Sequence, residues 1–523
     1  MHDYLTIGKA GDLKNPRERA LYRFFEMVPG LLSWTTLILI VVASFHWPIA
    51  TVIFIIIFDT YWLVKSIYLT FHLRASFSRM RGFMKMDWLS EVEKLDATRY
   101  TLHDVRSWRD IYHLVILPTY QEPTELIVQS IESLAKSHYP MDRMIVVLAQ
   151  EERAGREHNE GIASAVGAQF KNVFFRLAVV EHPDGIAGEL AGKGANIAYA
   201  GKHVQREIID QLAIPYQRIM ASVFDIDTVV HAEYFSRLTY IYLTSDDPLH
   251  ASYQPIPFFT NNIWEAPAFA RVVSFSSTFW QTIQQERVEN LITFSSHSMP
   301  FQAVVDIGFW QSNMVNEDSR VFWQCFLRYD GNYRVVPLYF PVYLDANVAP
   351  SFWRTMINIH KQHRRWGYGV ENIPYFWFGF LKNKKIPRSK KYFYSLITLE
   401  GHWSWATNAI MLFLLGWLPL LVGGSAFNQT VVAFNLPFVT RMIMFGAMFG
   451  LVTSAILSML ILPPRPPQFG KFKYLWMILQ WILFPVTTIL FGCFPSLEAQ
   501  TRLMLGKYLG FWVTPKHRVG KSK

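Results

Sequence analysis

Five long apolar runs, 30–47 and 49–71 near the start and 403–422, 437–462 and 472–494 near the end, constrain this chain more than any other feature. Each is close to the roughly 20 apolar residues that carry a helix across a bilayer. His46 and Pro48 predict a tight turn between the first two, and Trp403, Trp405, Trp417 and Trp476 stand where interface aromatics do. With 51% hydrophobic and 17% charged residues, a disordered or fibrous protein is excluded. The apolar excess lies at the two ends, so the expectation is one soluble block set between membrane segments.

Orientation follows from basic residues. Lys9, Lys14, Arg17, Arg19 and Arg23 precede the first run, and Arg465, Lys471 and Lys473 separate the fourth from the fifth, whereas the turns at Pro48 and Asn428 carry neither Lys nor Arg. This predicts a multi-pass protein of the cell membrane with its N-terminus and central block in the cytoplasm, the first run staying as an anchor. Five crossings would export a tail carrying Lys516, Arg518, Lys521 and Lys523, against that rule. The last run is therefore expected to break at Pro485, closed by Pro495, into a re-entrant or short hairpin.

The predicted organisation is a cytosolic segment 1–28, a transmembrane hairpin 29–73, a connector 74–110, a soluble domain 111–370, an interfacial basic segment 371–397, a membrane region 398–496 and a basic tail 497–523. Lys382, Lys384, Lys385, Arg388, Lys390 and Lys391 read as a positive-inside anchor, with phospholipid binding as the alternative. The net charge of +10 suits membrane lipids or a phosphorylated substrate; no zinc-finger or RNA-binding motif points to nucleic acid. Cys325 and Cys493 lie far apart without a CxxC pair, which argues against a disulfide framework or a cysteine metal site.

From about Ile111 short β-rich runs (His113–Leu117, Met144–Leu148, Val173–Val180, Arg218–Phe224) alternate with helical stretches, which predicts an α/β fold with a mostly parallel sheet. A helix is expected from Pro123, presenting Ile127, Ile131, Leu134 and Ala135 to the sheet. Ligands of such sheets sit beyond the carboxyl ends of the strands. There the chain carries Tyr120 and Glu122 after the first run, and Asp225 and Asp227 after the fourth. In extended backbone, residues two apart point the same way, so both aspartates are expected to face one site and hold a hard divalent cation; solvated turn aspartates are the bland alternative.

Gly192, Lys193, Gly194, Ala195 and Asn196 open a helix whose free N–H groups and lysine suit phosphate, although a loop glycine pair with a surface lysine would look the same. Asn316, Glu317 and Asp318 precede an amphipathic helix, Arg320 to Leu327, where capping is the alternative use of the carboxylates. Gln362, His363, Arg364, Arg365 and Trp366 combine a guanidinium for phosphate with an aromatic plane for a sugar, or else form a membrane-surface helix.

The order of these motifs, Y-x-E, K-G-x-x-N, D-x-D, E-D and Q-x-x-R-W, resembles the family-two glycosyltransferases, in particular the membrane-embedded cellulose, chitin and hyaluronan synthases. Phe511, Val513, Thr514 and Lys516 resemble the F-x-V-T-x-K gating motif of cellulose synthases. The resemblance implies a GT-A type sheet domain and a metal-dependent, inverting transfer from a nucleotide sugar, UDP-linked, to a β-linked polysaccharide. Tyr120 and Glu122 would hold base and ribose, Lys193 the diphosphate, and Asp225 with Asp227 the diphosphate through Mg²⁺ or Mn²⁺. Asp318, beside Glu317, would be the general base; Arg365 would stabilise the leaving group, and Trp366 with Gln362 would meet the acceptor.

Two departures qualify this. Glu151 stands where the family carries aspartate against uracil, which leaves UDP against GDP open, and Asn316 replaces the threonine of the processive T-E-D pattern. Glu400 and His402, at the cytoplasmic edge of the third run, either line an acceptor path or snorkel to the interface. A non-processive transferase acting on one lipid-linked acceptor remains the alternative. So, further off, does a transporter or regulatory protein with a non-catalytic domain.

Overall fold

A computed structural model describes residues 3–515 of the chain. Lys516 of the tail motif, with Arg518, Lys521 and Lys523, lies outside the described residues. The fold is mixed α/β. An eight-stranded sheet has the order β3-β2-β1-β4-β7-β6-β8-β5, with β1 Tyr112–Pro118, β2 Met144–Glu151, β3 Arg176–His182, β4 Ile219–Val223, β5 Val229–Val230, β6 Ala251–Phe259, β7 Ser298–Pro300 and β8 Arg334–Leu344. β3, β2, β1 and β4 run parallel, as do β6 and β8; β7 and β5 are antiparallel to their neighbours.

The central strands are buried along almost their whole length, as sheets covered on both faces require. Ten helical elements matter here: α1 Pro16–His46, α2 Pro48–Phe83, α3 Thr124–Ala135, α4 Lys193–Val204, α5 Ala268–Gln284, α6 Glu317–Arg328, α7 Phe352–Gly367, α8 Arg388–Phe413, α9 Val431–Leu460 and α10, the helical run Phe472–Met504. Helix α3 follows Pro123 and buries Ile127, Ile131 and Leu134 against the sheet, with Ala135 half-buried beside them.

Asn15 caps α1 through the N–H groups of Arg17 and Glu18, and Pro16 opens it with φ already helical. Pro48 opens α2 in the same way after Trp47 breaks the hairpin. Four helices, α1, α2, α9 and α10, are long and apolar enough to cross a membrane, and a fifth span is made if α8 and Leu415–Val422 are joined across their 47° bend. The sharp bend expected at Pro485 is thus found in the third run instead. Within α10, Pro485 falls in the first turn of a short α segment between a 3₁₀ turn, Gln480–Leu483, and a π turn, Thr488–Cys493. The tighter 3₁₀ turn and the wider π turn on either side absorb the missing N–H without ending the helix.

The bundle has a definite polarity. Val52 packs with Ala433 and Leu436, and glycines 446 and 450 meet Leu63 and Thr70, so α2 and α9 run the same way, toward the sheet. Thr36 meets Trp403, and Leu37 and Ile40 pack with Ala409 and Ile410, so α1 and α8 run together, away from it. Both ends of α10 touch the sheet side: Arg271 of α5 bonds Gln480, while His360 and Arg364 of α7 bond Glu498.

Two segments differ from the predicted organisation. The N-terminal segment is built into the sheet domain, with Leu5 in its core and the Ile7 carbonyl accepting from Arg320. The first half of 371–397 belongs there as well, since Tyr375, Phe376 and Phe380 are buried in the same core. The basic run that follows is engaged in structure: Lys382 pairs with Glu18, Lys385 with Asp330, and Lys390 and Lys391 donate to backbone carbonyls.

Candidate functional site

The candidate residues gather beyond the carboxyl ends of the strands. Beyond β4 the chain turns, with the Thr228 N–H bonded to the Asp225 carbonyl at 2.9 Å, so Asp225-Ile226-Asp227 is a turn and not extended backbone. The two aspartates consequently have different surroundings. The Asp225 side chain is partly open and meets Lys193 Nζ at 2.8 Å and the Ser295 hydroxyl at 2.6 Å. Asp227 is fully buried and accepts from the Asp345 N–H at 2.9 Å, while its carbonyl accepts from Asn261. A shared outward face for the pair is a prediction this turn corrects.

Lys193 is the hub. It opens α4 after Gly192, and a side chain at Gly194 would come within 2.8 Å of the Gln311 carbonyl and 3.2 Å of Glu317 Cβ, so the small residue lets the start of α4 close onto the start of α6. Lys193 Nζ then lies 2.9 Å from both carboxylate oxygens of Asp318 and 3.6 Å from Glu317. Burial alone would depress its ammonium, but the charges of Asp225, Asp318 and Glu317 outweigh burial and hold the pKa above the ordinary lysine value. Three carboxylates around one ammonium leave the cluster net negative, with Asp225 and Asp318 its open members and Glu317 enclosed.

Glu317 and Asp318 occupy the first turn of α6, where negative charge is favourable, and Asn316 makes no side-chain cap. Burial, reinforced by the Asp318 charge, raises the Glu317 carboxyl well above its usual range. Sequence reasoning missed Ser295 and His297. The imidazole is wholly buried, 3.8 Å from Asp318, with Nδ1 2.9 Å from the Phe294 carbonyl and Nε2 3.4 Å from the Trp310 indole N–H. Burial lowers its pKa and favours a neutral ring that donates to Phe294 and accepts from Trp310. The only signal for either residue is the polar stretch Ser295-Ser296-His297-Ser298 entering β7, which alone looks like a loop.

Of the nucleotide candidates, Glu122 turns back on its own loop, accepting from the Tyr120 N–H at 2.7 Å and the Thr119 hydroxyl at 3.0 Å. Glu151 pairs with Arg153, whose guanidinium lies 4.3 Å over the Tyr120 ring, so these three form one stacked unit at the ends of β1 and β2. Arg153, unremarked in the sequence, is its centre.

On α7, Gln362 accepts from Asn347 at 3.2 Å, and Trp366 packs against His363 and against Phe259 at the end of β6. Arg365 lies 4.9 Å over the ring of Phe511. That same ring fills the space a side chain at Gly192 would take, 2.5 Å from its Cβ. The tail thus lies across the site between the start of α4 and Arg365, with Trp512 near Lys361 and Thr514 buried. Glu400 leaves this neighbourhood and pairs with Lys65 of α2 at 2.8 Å, while His402 is enclosed and its carbonyl accepts from Gln500.

Among the described residues no group of three His, Cys, Asp or Glu side chains is set to hold a metal. The oxygens of Asp225 are nonetheless of the hard type that Mg²⁺ and Mn²⁺ prefer, and Mg²⁺ commonly binds through one or two carboxylates with substrate phosphates and water completing the shell. The residues present fit such a partial site.

No family model matches the sequence, and no curated protein matches it. Among solved structures the chain is similar to a mannosyltransferase, PcManGT, from Pyrobaculum calidifontis in complex with GDP-Man and Mn²⁺, at 14% identity and a TM-score of 0.41, covering 75% of this chain and 99% of that one. It is also similar to residues 1–349 of TarS from S. aureus, at 12% identity and a TM-score of 0.35, covering 66% of this chain and 90% of that one. At such scores the functional reading rests on the residues of this site.

Proposed function

We propose that the protein is a membrane-integral, inverting glycosyltransferase that moves a sugar from a nucleotide sugar to a growing β-linked glycan. The observation that carries this reading is the bridge Asp225–Lys193–Asp318, which sets an ammonium and a partly open carboxylate side by side under Arg365 and the tail. A nucleotide sugar needs both groups: cations where the diphosphate gathers charge on leaving, and a base for the acceptor hydroxyl.

In this reading Lys193 and Arg365 face the departing nucleoside diphosphate. Asp318 takes the acceptor's proton as the acceptor oxygen bonds the anomeric carbon and the bond from that carbon to the phosphate oxygen breaks. Attack opposite to the leaving group inverts the configuration. Lys193, bonded to both of its carboxylate oxygens, holds Asp318 in place, with neutral His297 3.8 Å away. A divalent cation held by Asp225, with Asp227 behind it, would neutralise the diphosphate. Tyr120, Glu122, Glu151 and Arg153 form the platform for the nucleoside, and Trp366 offers its plane to the acceptor sugar.

The test is a donor panel on purified protein in detergent with Mg²⁺ or Mn²⁺, offering UDP- and GDP-sugars in turn and detecting released nucleoside diphosphate and the size of any glycan. The expected result is release with one donor, lost on chelation and lowered at least about 10²-fold in Asp318→Asn. A ladder of products identifies polysaccharide synthesis, and a single addition to a lipid carrier identifies the non-processive alternative. No release with any donor, folded protein and lipid acceptors supplied, would overturn the assignment.

A further inference from the structure

A second charged site lies away from the strand ends, where the sheet domain meets the bundle. A cleft of about 380 Å³ opens between the first turn of α5, the first turn of α7 and the start of α10. Its floor is Arg271, which is only 5% exposed. The guanidinium donates from Nε to Gln480 at 2.6 Å and from Nη1 to the Ala266 carbonyl, both uncharged, and no carboxylate pairs with it among the described residues. Burial alone moves its pKa, down to about 10.

An enclosed cation without a counter-charge is expensive, and buried charges in proteins are ordinarily paired. Lys473 adds a second positive charge to the cleft, while the one acid lining it, Glu265, is exposed at the rim. The first turn of α5 has no side-chain cap, so its N–H groups add to the positive field. The site is therefore built for an anion.

The rim identifies the source of that anion. At the start of α7 Trp353 is 74% exposed and Phe352 44%, and Phe472, beside Lys473, is 79% exposed. Large apolar side chains standing out beside a basic floor, at the end of a helix that is long and apolar enough for a membrane, fit the headgroup level of a bilayer.

We propose that this cleft binds the phosphate of an anionic membrane lipid, with Arg271 and Lys473 as donors and the acyl chains against Phe352, Trp353 and Phe472. The proposal stands apart from the transferase reading. The connection 345–351 joins the two sites, since Asp345 holds Asp227 at one end and Ser351 caps α7 at the other.

The test is native mass spectrometry of the full chain released from detergent, titrated with dioleoyl phosphatidylglycerol, with dioleoyl phosphatidylcholine and with inorganic phosphate. One phosphatidylglycerol is expected to be retained in preference to phosphatidylcholine, and Lys473→Gln should weaken it about tenfold, the effect of one charge-assisted hydrogen bond. Arg271→Gln should weaken it at least as much; if that buried change prevents folding, Lys473→Gln still decides. Lys384→Gln, on the other basic run, should bind as the native protein does. Unchanged retention in Lys473→Gln overturns the proposal, and so does displacement of the lipid by an equal concentration of inorganic phosphate.

Discussion

Lys193 neutralises carboxylates that would otherwise repel one another inside the protein, and this fixes what its loss should do. In Lys193→Met the carboxylates of Asp225 and Asp318 lose the ammonium that bridges them, and breaking a buried pair from one side costs roughly 3–5 kcal/mol. The apparent unfolding midpoint in detergent should fall by several degrees, and adding Asp318→Asn should recover part of the loss. Recovery separates relief of repulsion from a packing defect. Glu371 gives a pH test. Burial raises its carboxyl to about 7 against 4.5, with Arg320 opposing. Between those values the unfolded chain has lost the proton and the folded chain keeps it, so stability falls as pH rises from about 4.5 to about 7, by roughly 3 kcal/mol in all. Unfolding midpoints across that range should show the decline in the native protein and a flatter profile in Glu371→Gln. At this scale the sequence names the charged residues but not their partners. Asp225, Lys193 and Asp318 stand out beside apolar runs, whereas Ser295, His297, Arg153 and Asp345 reach the site only because distant strands end together, a fact absent from local pattern.

The elements show why some structure is legible and some not. β1 and β4 are buried apolar runs read from sequence to within one residue at each end, and β2 is read from its first residue but runs three residues past Leu148 to Glu151. β3 begins three residues later than the apolar run predicts, because as an edge strand it is only partly buried and Val173, Phe174 and Phe175 pack before it starts. β6 and β8 are missed because Pro255, Pro257, Pro337 and Pro341 argue against strands; a register shift between Gln254 and Ile256 lets the ladder accommodate them. The element with a functional consequence is the tail. Gly192 and Phe511 are in such contact that a methyl group at Gly192 would overlap the ring. Gly192→Ala should therefore lift the tail, so that trypsin cuts at exposed Lys507 several-fold faster and turnover drops about tenfold, the overlap with the ring adding to the strain an alanine meets at the 155° φ of Gly192. Phe511→Ala removes the overlapping ring, so the double variant should digest like Phe511→Ala alone. If the double variant instead adds the two effects, the contact is not what positions the tail.

At the scale of the whole molecule the question is on which side of the membrane the chain ends. Counting apolar runs gives five, and five crossings put the tail opposite the sheet domain. The contacts argue for four. α1 and α8 with Leu415–Val422 lead away from the sheet, α2 and α9 lead back, and α10 has Gln480 against α5 near one end and Glu498 against α7 near the other. Gly367 of α7 also lies so close to Ser496 that a side chain there would come within 3.0 Å of its backbone. α10 is long and apolar enough to cross, yet between its two contacts with the sheet side Ile489 and Cys493 enter the bundle against Leu37, Ile40 and Ala409, and its 3₁₀ and π turns and Pro485 fall in that inserted stretch. This also reconciles the basic residues on both sides of α10 with the positive-inside rule. The prediction uses single cysteines in a Cys325→Ala, Cys493→Ala background. Lys471→Cys before α10 and Lys507→Cys after it should react with a membrane-impermeant maleimide from the same side, and Gln429→Cys, in the turn before α9, only from the other. Were Lys471→Cys and Lys507→Cys labelled from opposite sides, α10 would cross the bilayer, and the tail could not lie over Arg365 as the Phe511 contact requires.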